Sequence, residues 1–152
     1  VLIFLARQYM NGNGSVGEIA LKTAVSKVQL GFVQAIVLGI LCNTLVCLAV
    51  WLTYSARQTV DKILAIIFPI TAFVAIGSEH SVANMYFIPL GLLIKQFDPA
   101  FVGGLESQIN LAGLTWTSFL VNNLLPVTLG NIIGGSLLVG IFYWLIYLKK
   151  QT

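Results

Sequence analysis

Two adjacent residues, Glu79 and His80, carry the chemistry this sequence can offer at neutral pH. His80 is the only histidine in 152 residues, and Glu79 is the one carboxylate remote from any expected loop. An imidazole changes charge near neutrality and can exchange protons there. A carboxylate beside it can cap free backbone N–H groups or pair with a polar partner such as Asn43. Ile63–Ile76 before the pair and Met85–Ile94 after it contain no charged residue. Ionisable residues in such a setting are costly and by default mark a functional site. Neither a nucleophile, a metal-ligand set nor a cofactor motif accompanies them, so no cofactor and no metal are expected. An enzyme using Glu79 and His80 as acid and base is therefore the weaker alternative, alongside a membrane scaffold whose polar residues only join helices.

The elements that must position the pair have a length problem. One straight helix over Ile63–Ile94 would run about 48 Å at 1.5 Å per residue, against a hydrocarbon core of about 30 Å. The sequence predicts a helix that breaks near Gly77 and Ser78 and resumes by about Val82. Gly77 suits a helix C-terminus and Ser78 the N-cap of the next half. Pro69 and Pro89 lie in the two halves, where neighbouring helices can satisfy the freed carbonyls.

Composition sets the class. Hydrophobic residues make up 58% and charged residues 9%, with mean hydropathy +0.94, which describes an all-α integral membrane protein. The net charge of +3 is small and dispersed, so nucleic acid is not an expected partner. Cys42 and Cys47 sit in an apolar run and read as small buried hydrophobes. The chain opens on Val-Leu-Ile-Phe-Leu without a signal-peptide layout, and is expected to be a fragment starting inside a helix.

In order, residues 1 to about 10 read as the end of a span, and Asn11-Gly12-Asn13-Gly14 as a turn. Ser15–Lys27 is amphipathic and suited to the membrane surface. A complete span is expected over Val28–Tyr54. Its small residues Gly31, Ala35, Gly39, Asn43 and Cys47 repeat every fourth position, the spacing that lets membrane helices approach closely. Asn43 on that face must find a partner on another helix or in a polar cavity. After a polar connection from Lys95, Thr115–Asn122 reads as a short helix or re-entrant piece. A last span then runs from Leu124 to Leu148 with Gly130 and Gly134 as a GxxxG pair, and ends at Lys149 and Lys150. Four basic residues fall on each side of the spans, so charge does not fix orientation.

Glu79-His-Ser-Val-Ala-Asn-Met-Tyr-Phe-Ile-Pro89 resembles the signature of the formate/nitrite transporter family. Gly39-Ile-Leu-Cys-Asn-Thr-Leu-Val-Cys-Leu-Ala-Val-Trp51 is similar to that family's fourth span, and Asn123–Gly135 to its sixth. The resemblance covers almost the whole chain. It implies an aquaporin-like bundle of two inverted halves, assembled as a homopentamer with one pore per protomer. Residues 1–152 would be a partial domain: the end of the third helix, then the fourth to sixth, with the N-terminal half missing. The family commonly has an aromatic residue where this chain has Ser78. Phe73 matches an apolar constriction residue of the family.

Together these readings predict a multi-pass protein of a bacterial or archaeal cytoplasmic membrane that moves small monovalent anions and protons. Formate is the first substrate expected, with nitrite or hydrosulfide as alternatives. An apolar ring makes a bare anion costly, and protonating a weak-acid anion removes that cost. His80 is the residue expected to supply the proton, with Glu79, Asn43 and Phe73 around it.

Overall fold

The computed structural model describes residues 2–105 and 107–149, so Val1 and Lys150, named above, lie outside the described residues. Every regular element among the described residues is helical. The chain divides into two compact units, one holding residues up to Phe32 together with Val82–Leu125, the other Val33–Ser81 together with the chain from Pro126 onward.

In the first unit, α1 (Leu2–Leu5) and a 3-10 turn (Gln8–Met10) lead into the glycine turn. Gly12, Asn13 and Gly14 all have positive φ there, the left-handed backbone that glycine and asparagine tolerate best. Helix α2 (Ser15–Val28) follows. Its apolar face does not lie along a surface: Leu21, Ala24, Val25 and Val28 enter the unit's core, while Lys22 and Glu18 pair at 2.6 Å outside it. Helix α5 (Ser81–Phe97) supplies Ile88, Leu90, Leu92 and Ile94 to the same core. Close approach is possible because Gly91 lies where any Cβ would strike that of Ala24. Asp98 then caps α6 (Pro99–Gly103) by accepting the Phe101 N–H at 3.1 Å.

The second unit is built on α3 (Phe32–Thr53), α4 (Thr59–Ala75) and most of α7 (Ser118–Leu148). Helix α3 starts later than expected, because Val28 still belongs to α2 and Gln29–Gly31 separate the two. Helix α7 starts earlier: Thr115–Asn122 is no separate piece but runs into the last span. Thr115 and Ser118 cap that helix reciprocally, each accepting the other's backbone N–H on its hydroxyl (3.1 and 3.0 Å). Its first turns are π-helical over Ser118–Leu124, just before Pro126, which has no N–H to donate and whose ring crowds a normal α turn.

The small residues do what their spacing implied. Any Cβ at Gly130 or Gly134 would sit on the Ile36 or Ile40 carbonyl, and one at Gly39 would lie 2.8 Å from the Val127 carbonyl. The backbones of α3 and α7 are therefore in direct contact. Gly31, at the start of the repeat, meets nothing.

Candidate functional site

The chain between α4 and α5 is held by backbone geometry before any side chain acts. Helix α4 ends at Ala75, and Gly77 takes φ +64°. The Gly77 N–H donates to the Val74 carbonyl (3.1 Å) and the Ser78 N–H to the Phe73 carbonyl (3.2 Å). This pair of bonds is a Schellman motif, which satisfies carbonyls that the end of a helix would strand. Residues 78–80 are non-helical, and α5 begins at Ser81. The helix therefore breaks at Gly77 and Ser78, but Ser78 lies too far ahead of Ser81 to be its N-cap. The Ser78 hydroxyl is buried and has no hydrogen-bond partner among the described residues.

The polar groups opened by the break are gathered by Asn131 of α7. Its Oδ1 accepts the Ser81 N–H at 2.9 Å, the role of an N-cap played by a residue from another helix. Its Nδ2 donates to the Gly39 carbonyl (2.9 Å) and the Glu79 carbonyl (3.0 Å). Its own carbonyl accepts Asn43 Nδ2 at 2.9 Å. Asn131 is 4% exposed, so these bonds form out of water, where an unpaired polar group is costly. Asn43 thus finds its partner on a neighbouring helix. Asn131 is not among the site residues that the sequence singles out. The signal available for it was its position inside Gly130-Asn131-Ile132-Ile133-Gly134, where flanking glycines let α3 come close enough for one amide to reach it.

Glu79 is also 4% exposed, and its backbone N–H donates to the Leu38 carbonyl at 3.5 Å. His80 is half-buried, with its ring edge-on to Phe73, centroids 6.4 Å apart and planes at 82°. The imidazole stands directly before the first turn of α5, at the positive end of that helix's dipole. Only α5 offers a donor end here, because α4 arrives with its carbonyl end and the Schellman motif occupies two of those carbonyls. Of the residues singled out from sequence, the structure gathers Asn43, Phe73, Gly77, Ser78, Glu79 and His80 in one unit. No group of three or more His, Cys, Asp or Glu residues arranged to hold a metal occurs among the described residues.

A helix interrupted between apolar halves, with backbone ends and an ionisable residue at the interruption, is the architecture of membrane transport proteins. The chain belongs to the formate/nitrite transporter family, which it matches over residues 1–145. It is 48% identical over 153 aligned residues to the formate channel FocA of Escherichia coli, covering 99% of this chain and 54% of that protein. It is 48% identical over 122 residues to a probable formate transporter of Methanothermobacter thermautotrophicus, covering 80% of this chain and 38% of that one. A solved pentameric formate channel with formate bound superposes with TM-score 0.86 at 45% identity, covering 97% of this chain and 59% of that one. The chain thus spans about half the length of the relatives it matches. It is an integral membrane protein of a transporter family rather than an enzyme, with an all-α fold in keeping with the aquaporin-like bundle. Helices α3 and α7 are long and apolar enough to cross a bilayer.

Proposed function

We propose that the protein conducts small monovalent anions, formate first, across a cytoplasmic membrane as one protomer of a homopentamer, with His80 coupling anion movement to a proton. The observation that carries this reading is the imidazole at the donor end of α5, edge-on to Phe73 inside a helix break. The dipole of α5 favours an anion there, and the apolar ring of Phe73 disfavours one that keeps its charge. A proton from His80 resolves that conflict for a weak acid such as formate. Glu79 and Asn43 act on the scaffold of the break, through the backbone bonds of Glu79 to Asn131 and Leu38 and the side-chain bond of Asn43 to Asn131. Relatives that carry formate in their names, FocA and the Methanothermobacter transporter among them, support the choice of substrate.

The test is uptake of labelled formate into liposomes by the full-length protein, with internal pH recorded, from about pH 5 to 8 where histidine ordinarily changes charge. His80→Asn keeps polarity and approximate size but cannot titrate. Proton-coupled uptake is expected to fall roughly a hundredfold, the lower range for loss of a positioned proton donor. Equal uptake and equal proton stoichiometry in both proteins would reduce His80 to a structural residue.

A further inference from the structure

In the unit that contains α2 and the body of α5, a cavity of about 590 Å³ opens beside the end of α5, lined in part by Lys95, Ser107, Gln108 and Asn110. A second of about 270 Å³ shares Gln108 and Asn110 and adds Lys22 and Gln29. Lys95 is held unlike the other basic residues of this end. Arg7 lies 3.7 Å from Asp98, and Lys22 pairs with Glu18. Lys95 Nζ instead donates to two backbone carbonyls, Leu111 and Leu114, at 2.8 Å each. Among the described residues no carboxylate lies within ion-pair distance of it.

The two bonds fix the ammonium in place, and no carboxylate among the described residues neutralises its charge. An ammonium has three N–H groups, so one remains for the cavity. A donor already immobilised loses little freedom when it binds. Asn110 spends its Oδ1 on the Ala112 N–H at 3.0 Å, which leaves its amide N–H groups as donors. Of the apolar residues of the wall, Ile109 and Leu111 are 6% and 8% exposed and belong to the unit's core, and Ala112 is exposed but carries a single methyl group, so the wall offers no groove for an acyl chain. That favours a free solute over a lipid headgroup.

We propose that this cavity is a docking site for a small oxyanion of the carboxylate class, held by Lys95 Nζ with the Asn110 amide and the Ser107 hydroxyl. The proposal rests on the transport reading above, because its ligand is the transported anion, collected before translocation.

Gln108 is the lever for a test, since it borders the cavity and the one hydrogen bond described for it is from its backbone N–H, to the Leu105 carbonyl at 2.9 Å. Initial rates of formate uptake would be measured against formate concentration in liposomes holding the full-length wild type, Gln108→Glu or Gln108→Lys. The half-saturating concentration is expected to rise about two- to threefold in Gln108→Glu and to fall in Gln108→Lys, the size of a single charge felt through water, with maximal rates alike. The spread should shrink in high salt. Half-saturation that ignores the charge at this position, while wild type transports formate, overturns the docking site alone. Absence of formate uptake in wild type overturns the transport reading beneath it. Vesicles of zwitterionic lipid and vesicles with added phosphatidylglycerol separate the two sources of anion. The same spread in both supports a solute site, and a spread seen only with the anionic lipid assigns the cavity to headgroups and overturns the proposal.

Discussion

Helix α7 carries two buried asparagines that look alike in sequence and do different work. Asn123 joins regular helices within its unit: its Oδ1 accepts Asn84 Nδ2 at 2.7 Å and its Nδ2 donates to the Lys27 carbonyl at 2.8 Å. The Asn131 side chain, in the other unit, bonds to backbone alone, at Ser81, Gly39 and Glu79. A clamp between packed helices adds to stability that burial already supplies. An amide that ties the backbone at Glu79 and Ser81, on the edge of the break, to Gly39 of α3 is what allows the interruption to exist. Polar residues of a membrane bundle can thus be sorted by whether they join separate helices or hold the chain together where one helix is interrupted.

The largest expected effect breaks the second kind. Asn131→Leu fits by size but strands the Ser81 N–H and removes a donor from the Gly39 and Glu79 carbonyls. Gly39 lies inside α3, where its carbonyl already accepts a helical bond, so two buried groups are left unmet at about 1–3 kcal/mol each, a large share of the stability of a typical domain. Loss of folded protein is expected, read as aggregation on size-exclusion chromatography of the full-length protein in detergent. Asn131→Asp keeps the acceptor for Ser81 and should fall between the two. A leucine variant as stable as wild type would show that the break holds without its cap.

Next comes the glycine contact that brings α3 within reach of Asn131. Gly134→Leu puts a side chain against the Ile40 carbonyl, and backbone cannot step aside as a side chain can. Overpacking costs about 1–3 kcal/mol even where side chains yield, and more is expected here. Gly39→Leu should act alike, because both residues line one seam. The predicted symptom is loss of assembly, with selectivity unchanged in whatever protein survives. Normal assembly and activity in both variants would remove the close-packing argument.

These two cases also mark what was legible in the sequence. The break was visible because length, Gly77 and the Glu79-His80 interruption are local features, and helix physics alone makes a long apolar run with such a centre untenable. The small-residue seam was visible through its spacing of four. The cap on α5 was not, since Asn131 lies far along the chain and an asparagine in a helix looks the same whether it clamps or caps. Locally Ser78 suits an N-cap because it is a serine after a glycine, whereas the chain stays non-helical through His80. The start of α7 is hidden for a related reason: Asn122-Asn123 resembles a loop, but Asn123 is fully buried among helices and satisfied there.

A smaller effect sharpens the comparison from the other side. Asn123→Leu is expected to cost about 1–3 kcal/mol, the penalty for leaving partners of a buried amide unmet. Asn84→Leu combined with it should cost less than the two singles added, because contacting residues couple by about 0.5–3 kcal/mol. Thermal unfolding of the four proteins of this cycle measures it. Formate uptake and its pH dependence should stay those of wild type in the single variants. A changed pH profile in Asn123→Leu would mean this clamp also serves the anion.

The smallest effect concerns a polar contact at the far end of α5, beyond the apolar part of the helix. Tyr9 donates its hydroxyl to Asp98 Oδ2 at 2.7 Å, while Asp98 also accepts the Phe101 N–H and faces Arg7. The Tyr9 hydrogen bond first, then the Phe101 N–H, then the Arg7 charge hold the Asp98 carboxyl below its ordinary value. The same bond, with burial, raises Tyr9 above its own ordinary value. A depressed carboxyl contributes stability above its unfolded pKa of about 4 and loses it as pH falls through the lower folded value. A raised phenol contributes below its unfolded value of about 10 and loses it as pH climbs through the higher folded one. The contact should therefore act fully across the neutral range and fade at both extremes. Tyr9→Phe keeps the ring that stacks on Phe4 at 5.5 Å and removes only the hydroxyl. Its unfolding temperature should lie slightly below wild type at pH 7, and the gap should close as pH drops below about 4, where the carboxylate is lost. Asp98→Asn should show the same narrowing. A gap that stays constant from pH 7 to about 3 would mean the tyrosine acts through packing rather than through its bond to the carboxylate.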